Sequence, residues 1–553
     1  MLFNLKHFKR DFSKWSLLVV VISLFIALPI FIITLSLFDG KGEMWDHIVS
    51  YFLFDYLSNS IILIIGCGLL SSFLGVSSAW VVSKHDFKGR KIIEWLLFMP
   101  LSIPSYIMAY CYVGMLGNGG TLIRFANSFG FDIQKIEMMN IAGLIWVLSF
   151  SLFPYIYASS RAFFKSFPNS IRDTTFLLGA SKSKYFFSIV IPLASPAIIG
   201  GLFLVCMEVL NDYGAAKYYG INTFTTGIFR TWTALEDLQS SIYLSALLVV
   251  FVLTLLGIVK WLRGRKSYNI KIDNKENFKN TDEQLKGSKK IVYLIIVCIP
   301  IFFGFIFPLI QLVMWAIQTF ESMFDITLFS IVSQSLLLAF VTSLVIICIS
   351  TLLIYFTKWN SIKKLNFFSR IATLGYVIPG AIIGIGVIRS SQTIIDFINN
   401  AFHLRIGFLF YSSSVVLIYA YVFRFLAVGY NSIESNTLKL GRYISESSYI
   451  LGMGRLKTLF KIELPILKTT LIGAFILVFI DVLKELPLTL ILKPYNLQTL
   501  AVKSYEYAED ERVAEAALPA LLLIIVVGVL ISVFNYRMSS ISFNKKEKID
   551  GNK

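Results

Sequence analysis

DTTFLLGASKSKYFFSIVIPLASPAI, residues Asp173–Ile198, and ESSYILGMGRLKTLFKIELPILKTTL, residues Glu446–Leu471, are one segment written twice, 273 residues apart. Each copy has an acid followed by two small residues, then a glycine, then an aliphatic-Pro pair at the same internal spacing. Asp173 aligns with Glu446, Gly179 with Gly452, and Pro192 with Pro465. Both copies are charged and lie between hydrophobic stretches, so each reads as a helical cytoplasmic loop of a duplicated membrane protein. A loop of that kind is where a machine in the membrane is gripped by one in the cytoplasm.

Composition supports the membrane reading. Hydrophobic residues make up 56% of the chain and charged residues only 15%, where a soluble protein carries about 25%. Apolar runs of ~20 residues recur along the whole length, enough to cross a hydrocarbon core as helices. Barrel strands would be shorter and would alternate polar with apolar, so a β-barrel is excluded. The net charge of +17 does not point to nucleic acid, because the basic residues are clustered on alternate loops. Lys6, Lys9, Arg10 and Lys14 precede the first span; Lys84, Lys88, Arg90 and Lys91 follow the second; a third cluster runs from Arg263 to Lys290, and Arg537, Lys545, Lys546 and Lys548 close the chain. This is the positive-inside pattern, and it places both termini in the cytoplasm. The first span is too long for a secretory signal and lacks a small-residue cleavage site. The five cysteines sit singly in apolar spans and read as small buried hydrophobes.

Twelve spans are expected, near 15–37, 59–82, 92–116, 139–158, 196–216 and 241–262, then 291–314, 334–356, 368–388, 407–428, 469–490 and 516–536. The fold class is an all-α polytopic membrane protein of two six-helix halves. The first transmembrane domain covers 1–263 with its loop at about 159–195, and the second covers 291–540 with its loop at about 429–468. Between them, 264–290 is polar and basic and reads as a flexible cytoplasmic linker; 541–553 is a cytoplasmic tail. The 273-residue offset also pairs Gly200 with Gly473, Glu208 with Asp481, Asp212 with Glu485, Thr226 with Thr499, and Glu236-Asp237 with Glu509-Asp510. Ile103-Pro104 and Ile378-Pro379 pair at an offset two residues larger. An even number of spans per half makes the repeats parallel, related by an axis along the membrane normal.

The repeated loop resembles the EAA motif of ABC-importer permeases, E-A-A-x3-G-x9-I-x-L-P. Thr174-Thr175 and Ser447-Ser448 stand where that motif has alanines, and Asp173 replaces the glutamate in the first copy. In that family the loop is a short helix, a turn at the glycine and a second helix that inserts into a groove on the ATPase. The resemblance implies coupling roles for Asp173, Gly179, Ala180, Ser181 and Pro192, and for Glu446, Gly452, Met453, Gly454 and Pro465. Three further stretches are similar to the fused permeases for ferric iron: FIDVLKELPLTLILKPYNLQTLAVKSYEYAEDERVAEAALPALLL (479–523), MEVLNDYGAAKYYGINTFTTGIFRTW (207–232) and YAYVFRFLAVGYNSIE (419–434). Fused permeases for thiamine, aminoethylphosphonate and polyamines share the plan. The resemblance implies two six-helix halves of the type I importer, two copies of an ABC ATPase, and a periplasmic or lipid-anchored substrate-binding protein. It also implies a multi-pass protein of the bacterial inner membrane. No G-x4-G-K-[ST] occurs, so ATP and magnesium are expected on the partner ATPase and no cofactor in this chain.

Acids within the spans are the other candidate site. Asp481 and Glu485 are four apart, as are Glu208 and Asp212, which would place each pair on one helix face. Two readings stand side by side. One is an acidic ring around the axis on the translocation path, suited to a hard, oxygen-preferring cation such as Fe(III). The other is a set of interhelical salt bridges in which Lys484 is the partner. The acids Glu506, Glu509, Asp510, Glu511 and Glu515 read as a solvated outer face or a docking patch for the binding protein. A twelve-helix secondary transporter is the rival class; the loop HDFKGRK (85–91) fits it loosely, the two EAA-like loops do not.

Overall fold

A computed structural model describes residues 14–131, 134–263, 283–284, 288–359, 365–403, 413–441 and 443–550. Most of the expected 264–290 linker, and the last three residues of the tail, lie outside the described residues. Nine helices among those described are long and apolar enough to cross a membrane, or up to eleven if each of two bent pairs is one span. The shorter apolar helix Ala517–Val533 supplies the remaining expected span. Helices are the form such sequences must take in lipid, because each satisfies its own backbone polar groups. Strand pairing among the described residues is limited to His85–Asp86 beside Glu283–Gln284.

The sequence repeat is also a structural repeat. Helices Ile141–Ser166 and Ser414–Lys439 start and end 273 residues apart, as do the short helices Lys182–Tyr185 and Arg455–Thr458. The π turns that follow, Phe186–Val190 and Leu459–Glu463, keep the same offset. Those π turns sit just before Pro192 and Pro465, whose missing N–H donors leave the helix a bond short at that point. Upstream, the 3-10 turns Met99–Ser102 and Thr373–Val377 end at Ile103-Pro104 and Ile378-Pro379. Both prolines are extended, with ψ 145° and 142°, and a helix begins after each. Proline holds the residue before it out of the helical region, which breaks the third span of each half at the same place.

Beyond Glu485 the simple offset fails. The expected pairing of Thr226 with Thr499 is corrected to Thr223 with Thr499, since these two threonines are the caps of helices Phe224–Thr233 and Leu500–Glu509. Thr223 Oγ1 accepts from Thr226 N at 3.4 Å and Thr499 Oγ1 from Val502 N at 3.3 Å. The second half has a longer connection between its acid and its cap, and this shifts everything after it.

The halves are interlocked by their first helices. Trp15 packs at a tilt against Phe356 and edge-on against Trp359, Tyr419 donates to the Phe25 carbonyl at 2.6 Å, and Arg389 pairs with Asp39 at 2.9 Å. In return, Tyr112 donates to the Phe303 carbonyl at 2.7 Å, and Trp146 packs edge-on against the Phe303 ring. Each half also ties its third span to its fourth by an ion pair, with the charges exchanged. Glu94 pairs with Arg161 and Lys165 in the first half; Arg370 pairs with Glu434 in the second. Arg161 and Glu434 occupy matching repeat positions, so the contact has persisted while its polarity reversed. The cysteine expectation needs correcting: Cys67 and Cys111 are buried, but Cys298 and Cys348 are exposed on the outside of their helices, where lipid is as apolar a neighbour as a protein core.

Candidate functional site

Two places collect the candidate residues: the repeated loops and a central cavity. On each loop, a helix ends in a glycine with positive φ, +80° at Gly179 and +78° at Gly452. The backbone bonds match pairwise. Gly179 N bonds Phe176 O at 3.0 Å and Ala180 N bonds Thr175 O at 3.2 Å; Gly452 N bonds Tyr449 O and Met453 N bonds Ser448 O, both at 3.0 Å. This is the Schellman closure, in which the residue past the helix takes the left-handed conformation that glycine adopts without strain. The second of the two small residues, Thr175 or Ser448, is buried and returns its hydroxyl to the carbonyl four residues back. A larger side chain would not fit there, which accounts for the small-residue requirement. Asp173 and Glu446 are both exposed, Asp173 beside Arg172 at 3.3 Å.

The loops also display residues that the sequence reading passed over. Leu177 and Leu178 are 87% and 82% exposed, and the matching Ile450 and Leu451 are 86% and 81% exposed. They lie on short helices outside the spans, so lipid does not explain them. Each loop thus carries an exposed apolar pair at the same position of the repeat. The signal was present in the sequence as two adjacent aliphatic residues just before each glycine.

The loops differ in how they join the membrane helices. From Lys182 to Asn211 the first forms one continuous span, whereas the second bends by 75° between Arg455–Ile466 and Lys468–Lys484. Beside that bend lies a buried ion pair that the sequence reading missed. Lys358 Nζ stands 2.7 Å from Glu463 Oε1, and Ser445 donates its hydroxyl to the same oxygen. Glu463 is only 3% exposed. The first half has Val190 and Arg172 at the positions of Glu463 and Ser445. A lone glutamate inside the apolar run before Pro465 was the available clue.

The cavity, of about 110 Å³, lies where the two halves meet. It brings together all five residues expected on the path, Glu208, Asp212, Asp481, Lys484 and Glu485, with Arg424 as a sixth. Tyr155 and Tyr376, one from each half, complete the wall around Glu208 and Asp481. The expectation that each acid pair shares a helix face is corrected. The helices stop at Asn211 and Lys484, and Asp212 and Glu485 are extended, with ψ 121° and 123°. Each caps the short helix that follows. Asp212 Oδ1 accepts from Ala215 N at 3.0 Å and Ala216 N at 3.1 Å; Glu485 Oε1 accepts from Leu488 N at 3.0 Å. Anionic caps suit helix starts, where backbone N–H groups lack partners.

Lys484 is not the partner of Glu485: Arg424 is, with Nε 3.2 Å from Oε2 and both side chains buried. Lys484 Nζ instead donates to the Leu101 carbonyl at 3.2 Å. In the first half Asp212 takes a hydrogen bond from Ser105, and Ser151 occupies the position of Arg424. The position matching Ser105 is Gly380, where a Cβ would stand 2.8 Å from Glu485 Oε1. A shorter acid with serine neighbours thus corresponds to a longer acid with an arginine and a glycine. Among the described residues no group of three or more His, Cys, Asp or Glu side chains is placed to hold a metal ion. The carboxyl groups line the cavity wall and do not form a closed ligand cage.

Two of the five outer acids, Glu506 and Glu515, are tied internally. Lys493 pairs with Glu506 at 2.5 Å and Arg512 with Glu515. Asp237 caps helix Leu238–Arg263, accepting from Ser240 N at 2.9 Å, Ser240 Oγ at 2.6 Å and Met44 N at 2.9 Å. Partial burial pushes the Asp237 carboxyl up, but these hydrogen bonds outweigh it and hold the group below its ordinary value.

Residues 71–265 match the family described as binding-protein-dependent transport system inner membrane component. Over 531 residues the chain is 23% identical to the Fe(3+)-transport system permease protein FbpB 2 of Haemophilus influenzae, covering 93% of this chain and 96% of that protein. It is 20% identical to the ferric transport system permease protein FbpB of Actinobacillus pleuropneumoniae over 546 residues, 94% of this chain and 77% of that one. A molybdate/tungstate transport system permease protein WtpB of Pyrococcus abyssi is 25% identical over 242 residues, 44% of this chain and 91% of its own length.

Proposed function

We propose that this chain, whose residues 71–265 match the binding-protein-dependent transport system inner membrane component, is the membrane subunit of an ATP-driven importer of ferric iron. The observation that carries the substrate is the cavity between the halves, where four carboxyl groups face two cationic side chains. An acid-rich passage favours a hard cation and disfavours oxyanions such as the molybdate named for the shorter relatives. Full-length similarity to two ferric permeases points the same way.

One chain supplies both transmembrane domains, 1–263 and 291–540, joined through 264–290. Two copies of an ATPase subunit dock on the two loops, with Leu177-Leu178 and Ile450-Leu451 as apolar anchors and Asp173 and Glu446 beside them. ATP and magnesium belong to that partner, and this chain performs no hydrolysis itself. A periplasmic or lipid-anchored binding protein delivers the ion on the opposite side, and both termini face the cytoplasm. Closure of the ATPase pair moves both loops, the helices that end at Asn211 and Lys484 carry the motion inward, and the cavity opens toward the binding protein. Hydrolysis resets it toward the cytoplasm. Glu208 and Asp481, which among the described residues have no fixed partner comparable to those of Asp212 and Glu485, are the carboxylates that meet the ion.

The test is uptake of labelled ferric iron in a strain lacking this gene and complemented with variants. The deletion should abolish high-affinity uptake, and Glu208→Gln with Asp481→Asn should lower it at limiting iron while the protein stays in the membrane. Unchanged iron uptake in the deletion strain, with loss of molybdate uptake instead, overturns the substrate.

A further inference from the structure

The cavity wall contains a reciprocal contact between the halves. Asn211, the last residue of its helix in the first half, accepts from the Gly380 backbone N–H of the second half through Oδ1 at 2.8 Å. Lys484, the last residue of its helix in the second half, donates to the Leu101 carbonyl of the first half at 3.2 Å. Asn211 and Lys484 are 273 residues apart and so are the same position of the repeat. Their targets lie on opposite sides of the same break. Leu101 lies in the 3-10 turn just before Pro104, and Gly380 lies just after Pro379, at the proline break of the third span in each half. Each half therefore ends its loop-bearing helix on the broken span of the other. One contact uses an amide as acceptor and the other an ammonium as donor, so the chemistry differs while the place in the repeat is shared.

The position of these contacts gives them a mechanical meaning. The helix ending at Asn211 is the inward continuation of the first loop, and a span of 30 residues is about 45 Å long. Movement of the loop is delivered to Asn211, and the equivalent path delivers it to Lys484. Directly after each residue the chain becomes extended, and proline breaks lie opposite. Element ends and breaks of this kind absorb backbone rotation in hinge motions.

We propose that Asn211 and Lys484 are the two bolts of a single gate, which hold the halves together at the cavity and release together when both loops move. This rests on the importer reading above and adds to it the residues that couple cavity opening to ATP. Without a bolt the seam can part before the binding protein arrives, so ATP hydrolysis is freed from delivery of substrate.

The experiment uses the complete complex with its ATPase subunits in proteoliposomes, and reads ATP hydrolysis with and without the binding protein. Asn211→Ala or Lys484→Met should raise hydrolysis in the absence of the binding protein about five- to tenfold, the shift that follows from one lost hydrogen bond. Lys484→Arg, which keeps a donor, should return it to the parent level. The double variant should show about the product of the two single effects, because both bolts hold one closed state and their free energies add. If Lys484→Met lowers the amount of protein in the membrane, Asn211→Ala, which leaves no charge unpaired, carries the test. Unchanged binding-protein-independent hydrolysis in Asn211→Ala, or a double variant no more uncoupled than the stronger single one, overturns the proposal. Because this readout involves no transported ion, a wrong substrate would leave the uncoupling intact and appear only in the uptake assay.

Discussion

The first loop continues into a span that runs unbroken from Lys182 to Asn211, while the second bends by 75° on its way to Lys484 and is pinned at the bend by Lys358, Ser445 and Glu463. Up to the π turn the two are superimposable in register, in helix-ending hydrogen bonds and in exposed apolar pairs. They part where the loop becomes a membrane helix. An unbroken helix transmits displacement along its own axis. A bent one can dissipate it at the bend unless something ties the outer segment to a neighbour, and Lys358 at the end of helix Ile326–Lys358 provides that tie. The same lever has been built as a rod on one side and as a braced elbow on the other.

Removing the brace should therefore produce the largest difference between the loops. Lys358→Met leaves the Glu463 carboxylate buried without its counter-charge, a defect that costs roughly 3–5 kcal/mol. Thermal unfolding in detergent should drop markedly, and uptake with it. Pairing Lys358→Met with Glu463→Leu should restore most of the stability, because an apolar pair replaces the buried ion pair at little net cost. Coupling should stay impaired if the brace is mechanical. Val190→Ala in the first loop should cost far less than Lys358→Met, and an equal loss would break the comparison.

The apolar anchors come next. Leu451→Asp and Leu178→Asp each remove a side chain whose burial against a partner contributes about 1.5–3 kcal/mol. ATPase binding to purified permease should weaken at least tenfold, with no change in the melting temperature of the permease alone. A larger loss from Leu451→Asp would extend the asymmetry from the brace to the grip. Below these stand the turns: Gly452→Val and Gly179→Val force a branched side chain into the left-handed region at about 1–2 kcal/mol. With φ of +78° and +80°, the two should be equally harmful to uptake.

What the sequence disclosed followed the range of the interactions involved. The loops were legible because an acid, two small residues, a glycine and a proline specify a helix, a Schellman turn and a second helix using only neighbours. The twelve spans were legible because lipid demands apolar length. The cavity was legible as to its acids, yet their setting was not: Asp212 and Glu485 were placed on helices that in fact stop one residue earlier. Arg424 could not be recognised as the partner of Glu485, since the two lie on different spans and the nearby Lys484 offered a simpler pairing. Lys358 and Glu463 are separated by 105 residues. The exchange of Glu94–Arg161 for Arg370–Glu434 was hidden for another reason. Comparing the repeats residue by residue scores a reversed ion pair as two mismatches, although the contact is the same.

The finest difference between the loops lies at the start of their second helices. Ser181 caps the first, its hydroxyl accepting from Lys184 N at 3.3 Å, while Gly454 begins the second with no side-chain cap. Glycine at this position is only a few tenths of a kcal/mol worse than serine, because the unfilled N–H groups are reached by water. Gly454 has φ −69° and ψ 161°, an extended conformation that serine adopts freely, and open space surrounds it. Gly454→Ser should therefore stabilise the second loop by a few tenths of a kcal/mol, and Ser181→Gly should weaken the first by as much. Hydrogen exchange of the loop amides is sensitive enough to read both. Protection should rise at Arg455–Lys457 and fall at Lys182–Lys184, with uptake unchanged in each. If uptake instead follows the cap, the ATPase grips these helices by their first turn, and the difference between a serine and a glycine is part of how the two arms divide their work.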